Sequence, residues 1–294
     1  MVQAKVPVAR LYDYGSLTKP RVLSLLLLTT VAAMVITSDS MPAPALIVWT
    51  LLGGYLTAGG AGAINCAFDH DIDRQMHRTS RRAVPAGRIS ATAAYWFGTL
   101  LIVAGVGVLA LGTTPLAAGL ALVGVVYYTL VYTHWLKRST MHNVVIGGGA
   151  GALPPLVGAA AATSTIPLSA LLLAIIIFLW TPVHFYTLAL LKKEEYARAC
   201  LPMLPVVAGE GETRRQILRY ALATALVTIL AILLQSLGVW YTVLALLLNG
   251  VLLGFAWRVW RGAARATIWH FYGYSLLYLA LLFCAMVMDA VIRF

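Results

Sequence analysis

The chain has 294 residues, of which 61% are hydrophobic and 11% charged, and it carries a formal net charge of +11. Soluble domains hold roughly 25% charged residues, so a water-soluble fold is excluded, and with it a nucleic-acid partner, which would need a soluble basic face. The positive charge belongs instead to a membrane surface.

Segment 1–20 contains Lys5, Arg10, Asp13 and Lys19 but no apolar core ending in a small-residue cleavage site, which argues against a removable signal peptide. Crossing a bilayer takes about 20 mainly apolar residues. Such segments lie near 21–38, 44–68, 91–112, 115–133, 143–162, 167–191, 216–237, 239–257 and 271–292. They predict an all-α integral membrane protein of about nine transmembrane helices, with 1–294 forming one membrane-embedded domain and no separate soluble module. The connections at 38–42, 112–115, 163–167 and 237–238 hold turn residues and no lysine or arginine. The remaining connections hold the basic clusters 74–88, 137–138, 192–219 and 258–265, and Arg293 alone falls on the opposite side. By the positive-inside rule the N-terminus and the charged loops are cytoplasmic, in a cell membrane. Trp257, Trp260 and Trp269 read as interfacial anchors. Cys66, Cys200 and Cys284 lack paired spacing and read as reduced packing residues.

The second span passes into Asn65-Cys66-Ala67-Phe68-Asp69-His70-Asp71-Ile72-Asp73 without glycine or proline, so a helix is expected to run straight through. Residues four apart share a helix face; Asn65, Asp69 and Asp73 then form an oxygen-rich stripe while Asp71 points elsewhere. Neighbouring carboxylates repel and call for a cation, and hard oxygen ligands combined with a substrate's phosphates are what Mg2+ prefers. The plainer alternative is a solvated helix end whose aspartates pair with Arg74 and Arg78. Residues 78–88 follow at once with several guanidinium forks suited to phosphate oxygens, Arg78 and Arg82 among them, which together suggest a metal-bridged diphosphate.

Further along, Tyr132-Thr133-His134-Trp135-Leu136-Lys137-Arg138, followed by Asn143, offers Lys137 and Arg138 as two more cations able to meet a diphosphate, with a purely structural role as the alternative. The glycine run 147–151 lacks the ending of a phosphate-binding loop and suits close helix packing. In the sixth span Trp180-Thr181-Pro182-Val183-His184 interrupts the helix with a proline and puts an ionisable group at membrane depth, a functional suspect beside the simpler reading of a hydrogen-bonded packing histidine. Lys192-Lys193-Glu194-Glu195-Tyr196 then repeats the acidic-plus-basic pattern four spans after the first. If spans 2–4 and 6–8 are related repeats, loops 69–90 and 192–215 converge on one cavity. A charged loop capping a helix end is the alternative.

Together these residues resemble the UbiA superfamily of intramembrane prenyltransferases, over nearly the whole chain, and within it the protohaem IX farnesyltransferases. Asn65, Asp69 and Asp73 match the superfamily's first acidic motif, N-x-x-x-D-x-x-x-D. The haem branch is selected by D-I-D-R-Q-M-H-R-T, Y-T-H-W-L-K-R-S-T, G-A-L-P-P, W-T-P-V-H-F and Y-A-R-A-C-L-P-M-L-P-V-V, in that order. Ala83, Val183 and the pair Glu194-Glu195 depart from the family's usual prolines and aspartates.

The resemblance implies a UbiA-type bundle around a central cavity and transfer of a farnesyl group from farnesyl diphosphate to a vinyl group of haem B, giving haem O. It implies Mg2+ held by Asn65, Asp69 and Asp73, with Glu195 completing a second position. Arg78, Arg82, Lys137 and Arg138 would neutralise the leaving diphosphate. Lys192, Tyr132, Asn143, His184 and Tyr196 would contact substrate, with haem B a substrate rather than a resident cofactor. Haem A synthase or terminal-oxidase assembly factors are the implied protein partners. An aromatic prenyltransferase acting on a quinone or lipid precursor is the nearest alternative, and a transporter is the alternative from another class. Against transport, the acidic groups cluster at one end of the spans rather than along a path across the membrane.

Overall fold

The computed structural model describes residues 11–235 and 237–293, without the side chains of Gln235 and Arg293. The readings on Lys5, Arg10 and the Arg293 charge therefore lie outside the described residues. Among the described residues, nine helices are long and apolar enough to cross a membrane: Pro20–Thr37, Pro44–Phe68, Ala91–Gly112, Pro115–Ser139, Asn143–Thr163, Leu168–Leu191, Gly209–Leu234, Val239–Trp260 and Arg265–Ile292. In hydrocarbon every backbone polar group needs an internal partner, which leaves the helix as the available form for such segments. Proline opens the first, second and fourth spans, where its missing N–H has no intrahelical partner to lose. Ser90 and Thr114 cap the third and fourth, each accepting a 3.1 Å hydrogen bond from the amide three residues on.

Several boundaries differ from those expected. The seventh and ninth helices begin at Gly209 and Arg265 rather than 216 and 271. In the seventh, Glu210 and Glu212 pair with Arg214, Arg215 and Arg219 and carry the helix beyond its apolar core. The fourth continues to Ser139 because Tyr127–Leu136 is a π-helix, which no periodicity signals. Its tyrosine rings lie against glycine: a Cβ on Gly149 would sit 3.0 Å from the Tyr127 hydroxyl, and Gly147 faces the Tyr132 ring. The fifth span breaks at Ala152 into Asn143–Gly151 and Leu153–Thr163. In the sixth, Pro182 does not interrupt the helix, which runs unbroken from Leu168 to Leu191.

The second and third spans approach through glycine, since a Cβ on Gly98 would lie 2.6 Å from the Gly60 carbonyl oxygen; small residues let membrane helices pack this closely. Cys66 is buried in this half, whereas Cys200 and Cys284 are exposed. The largest core joins the sixth to ninth spans around Tyr186, Tyr241, Phe271, Tyr278 and Phe283. Side chains such as Leu100, Val103, Leu233 and Leu247 face outward, as a lipid-facing surface requires, and Trp257, Trp260 and Trp269 are exposed near their helix ends.

The charged connections lie at one end of the bundle, several of them tied to a neighbour by polar contacts. Arg88 Nε donates to Asp13 Oδ1 at 3.0 Å, joining the turn Leu11–Leu17 to the 69–90 loop. Arg138 joins that loop to the fourth span through Asp71 at 2.8 Å. Asn143 Nδ2 reaches the Pro202 carbonyl at 3.4 Å, Lys193 pairs with Glu210 at 3.2 Å, and Arg265 donates to the Leu191 carbonyl at 3.1 Å.

Candidate active site

The stripe expected at the end of the second span exists, although the helix does not run straight through it. The span ends at Phe68, Asp69 leaves helical geometry with ψ 5°, and a short helix resumes over His70–Gln75. The four-residue register survives: the Asp69 amide donates to the Asn65 carbonyl at 2.9 Å and the Asp73 amide to the Asp69 carbonyl at 2.8 Å. Asn65, Asp69 and Asp73 are therefore stacked, at 5%, 1% and 4% exposure. Asp71 faces outward at the same bend.

The plainer expectation, with Arg74 and Arg78 neutralising these aspartates, is not what forms. Arg74 instead donates to the Pro85 carbonyl at 3.2 Å. Lys137 Nζ lies 2.5 Å from Asp69 Oδ2, and Arg82 lies 2.9 Å from Asp73. Arg138 forks onto both oxygens of Asp71 at 2.8 Å and approaches Asp69 Oδ1 at 3.9 Å. The Arg138 guanidinium holds the Asp71 carboxyl down at about 2. Three of the four cations expected to meet a diphosphate thus already face the acidic stripe.

The second acidic cluster closes the site from the other half of the chain. Lys192 Nζ donates to Glu195 Oε1 at 2.8 Å, which holds the Glu195 carboxyl below its usual range, with the Arg78 and His77 charges acting in the same direction. Burial raises the Tyr196 hydroxyl, opposed by the Arg78 guanidinium. Tyr132 interacts electrostatically with Tyr128, Tyr196, Asp69 and Arg78. Arg78, from the first loop, thus interacts with Glu195 and Tyr196 of the second. Glu194 is exposed. Asn143 is fully buried and bridges the Thr140 and Pro202 carbonyls.

Whether these residues fit a metal-bound diphosphate is tested by acceptors that remain unsatisfied. Asp69 Oδ1, Glu195 Oε2 and Asn143 Oδ1 are buried and have no hydrogen-bond partner among the described residues. Buried polar atoms are normally paired, so three unsatisfied oxygens in one charged region fit a hard cation or a polar substrate. Among the described residues no group of three or more His, Cys, Asp or Glu side chains is gathered to hold a metal alone, so the expected set of Asn65, Asp69, Asp73 and Glu195 is not preassembled.

His184 is buried between the rings of Trp180 and Tyr272, with centroids at 4.9 and 4.6 Å, and its Nδ1 lies 2.7 Å from the Ser275 hydroxyl. Tyr272 in turn interacts electrostatically with Tyr196 of the second acidic loop. A separate surface cavity of about 370 Å3 is lined by His70, Arg74, Arg88 and neighbours but by none of Asn65, Asp69 or Asp73.

Two contributors were not singled out from sequence. Lys19 Nζ lies 2.5 Å from Asn65 Oδ1 and 3.4 Å from the Tyr128 hydroxyl. A lysine at the mouth of a first span reads only as a topology signal; its left-handed backbone, φ 55° and ψ 55° immediately before Pro20, is what turns it inward. Thr133 accepts a 2.9 Å hydrogen bond from Asn65 Nδ2, a contact that depends on the π-helix.

A model of the UbiA prenyltransferase family matches residues 26–285. Protoheme IX farnesyltransferase of Chloroflexus aurantiacus is 56% identical over 280 residues, covering 95% of this chain and 48% of that protein. The protein of the same description from Roseiflexus castenholzii is 52% identical over 279 residues, covering 95% and 52%. The chain spans about half the length of these relatives. One from Trichormus variabilis is 43% identical over 280 residues and is covered to 88%. Among solved structures, a UbiA homolog from Archaeoglobus fulgidus bound to DMAPP and Mg2+ superposes with a TM-score of 0.73 at 17% identity, over 93% of this chain and 99% of that one. A structure described for digeranylgeranylglyceryl phosphate synthase gives 0.79 at 16% identity, over 96% and 98%. At such identities the structural likeness establishes the fold.

Proposed function

Because the chain belongs to the UbiA prenyltransferase family, we propose that it transfers a farnesyl group from farnesyl diphosphate to a vinyl group of haem B, forming haem O and releasing diphosphate. The observation that carries prenyl transfer is the buried stack of Asn65, Asp69 and Asp73 facing Lys137, Arg82 and Arg138, with unsatisfied oxygens on Asp69 and Glu195. The choice of haem rests on the relatives described as protoheme IX farnesyltransferases and on the ordered motifs of the sequence. The whole chain acts as one membrane domain in a cytoplasmic membrane, with 69–90 and 192–215 as its cytoplasmic active-site loops.

In this reading Asp69, Asp73 and Asn65, with Glu195 from the second loop, would hold Mg2+, which when bound would supply positive charge to the departing diphosphate. Lys137, Arg82, Arg138 and Arg78 add fixed positive charge where the negative charge develops, the arrangement with the greatest leverage on such a step. The allylic C–O bond breaks, the vinyl carbon forms the new C–C bond, and water adds to the resulting cation with loss of a proton. The Tyr128 and Tyr132 rings, stacked at 5.7 Å, present π faces able to stabilise positive charge.

The test is direct. Purified protein in detergent with haem B, farnesyl diphosphate and Mg2+ should yield haem O by mass spectrometry; turnover of a quinone precursor with none of haem would assign aromatic prenylation instead. His184→Ala is expected to weaken haem B binding roughly tenfold in a spectroscopic titration, because the imidazole anchors the Trp180–Tyr272 stack. An unchanged titration would make His184 a packing residue only.

A further inference from the structure

We infer that Thr133 is a positioning residue that fixes which end of the Asn65 side-chain amide faces the substrate, and that the π-helix exists at this place to let it do so. The inference rests on the metal–diphosphate reading of the site and adds to it a residue with no charge and no ligand contact of its own.

The argument begins with one proton. A threonine hydroxyl has a single hydrogen to donate. Threonines of the α-helical spans commonly give it to the carbonyl four residues back, as Thr50, Thr57, Thr181 and Thr187 do at 2.6–2.9 Å, and Thr129, at the start of the π-helix, does the same at 2.7 Å. Thr133 instead reaches five residues back, to the Tyr128 carbonyl at 2.8 Å. That reach follows from the wider turn of the π-helix Tyr127–Leu136. A carbonyl can only accept, so the proton is committed, and towards Asn65 the Thr133 oxygen can only accept as well. Asp69 Oδ2, on the other side of Asn65, is also an acceptor.

Only one orientation of the Asn65 amide satisfies both neighbours. Nδ2 spends its two hydrogens on Asp69 Oδ2 at 2.7 Å and Thr133 Oγ1 at 2.9 Å. Oδ1 is thereby turned the opposite way, to the Lys19 ammonium, presenting an oxygen to whatever cation occupies that side. Thr133 is 1% exposed and Asn65 5%, so water has little access to substitute for a lost partner. Without the hydroxyl, Nδ2 keeps Asp69 Oδ2 as its one acceptor and leaves a hydrogen unpaired, so the amide that presents oxygen is held by Asp69 and Lys19 alone and less tightly in place; a nitrogen turned to that side cannot ligate Mg2+.

The experiment compares wild type, Thr133→Val, Thr133→Ala and Thr133→Ser in detergent, with calorimetric titration of farnesyl thiodiphosphate in the presence and absence of Mg2+ and with turnover as a second readout. The valine and alanine variants are expected to lose about tenfold in the Mg2+-dependent part of the affinity and to need correspondingly more Mg2+ for half-maximal turnover, while serine restores both. Alanine covers the case in which valine fails to fold. Equal Mg2+-dependent affinity in wild type and a folded hydroxyl-free variant overturns the role of Thr133, as does a serine variant as impaired as alanine, which would indicate packing. Wild type that shows no Mg2+-dependent binding would overturn the underlying reading itself.

Discussion

Asp69→Ala is expected to lower haem O formation at least about a thousandfold, the scale on which metal-assisted charge stabilisation operates, while the helical content of the protein stays unchanged. Asp69 is the residue on which the most interactions converge: Asn65 and Lys137 both donate to its Oδ2, Arg138 approaches Oδ1, and Oδ1 itself has no hydrogen bond. The alanine variant also leaves the Lys137 ammonium, 17% exposed, without its counter-ion, and breaking a largely buried pair from one side destabilises a fold. Asp69→Asn separates the two effects. It keeps a polar group of nearly the same shape, so its melting temperature should lie closer to wild type than that of the alanine variant, while turnover falls comparably. Circular dichroism with a product assay on the same samples reads both quantities. Turnover within threefold of wild type in either folded variant would remove Asp69 from the metal site.

Much of this arrangement was legible because composition and spacing act over long distances in a membrane protein. Runs of apolar residues located the nine membrane-length helices found among the described residues, and the segregation of arginine and lysine placed the charged loops at one end. The i, i+4 spacing of Asn65, Asp69 and Asp73 survived even the break at Asp69, since the amide hydrogen bonds preserve the register across it. What remained hidden depends on local backbone geometry. The π-helix, whose Tyr127 and Tyr132 lie against glycines of another span, has no periodic signature in the sequence, and with it the role of Thr133 stays hidden. Lys19 enters the site through a left-handed residue before a proline, a conformation strained enough to require support from its surroundings. The proline in the sixth span misled for a related reason: a single Pro182, itself buried, is accommodated within a helix whose neighbouring residues Trp180, Val183, His184 and Tyr186 are packed against other spans.

Glu195→Gln is the sharper test of whether the two halves of the chain share one substrate, and it is expected to lower turnover about a hundredfold, the loss typical of removing one preorganised electrostatic contact. The substitution is isosteric, and the Lys192 ammonium, 2.8 Å from Oε1, can still donate to an amide oxygen, so the fold should hold. What is lost is the charge facing Arg78 and the buried Oε2, which no protein group satisfies among the described residues. If Glu195 served only to cap the helix after the sixth span, the variant would behave as wild type at every Mg2+ concentration. Combining it with Asp69→Asn sets the decisive comparison. Residues acting on one metal-bound diphosphate are strongly non-additive, so the double variant should be scarcely slower than Asp69→Asn alone. Independent contributions would instead multiply, placing the second acidic loop outside the reacting centre and leaving the first stripe to hold the diphosphate by itself.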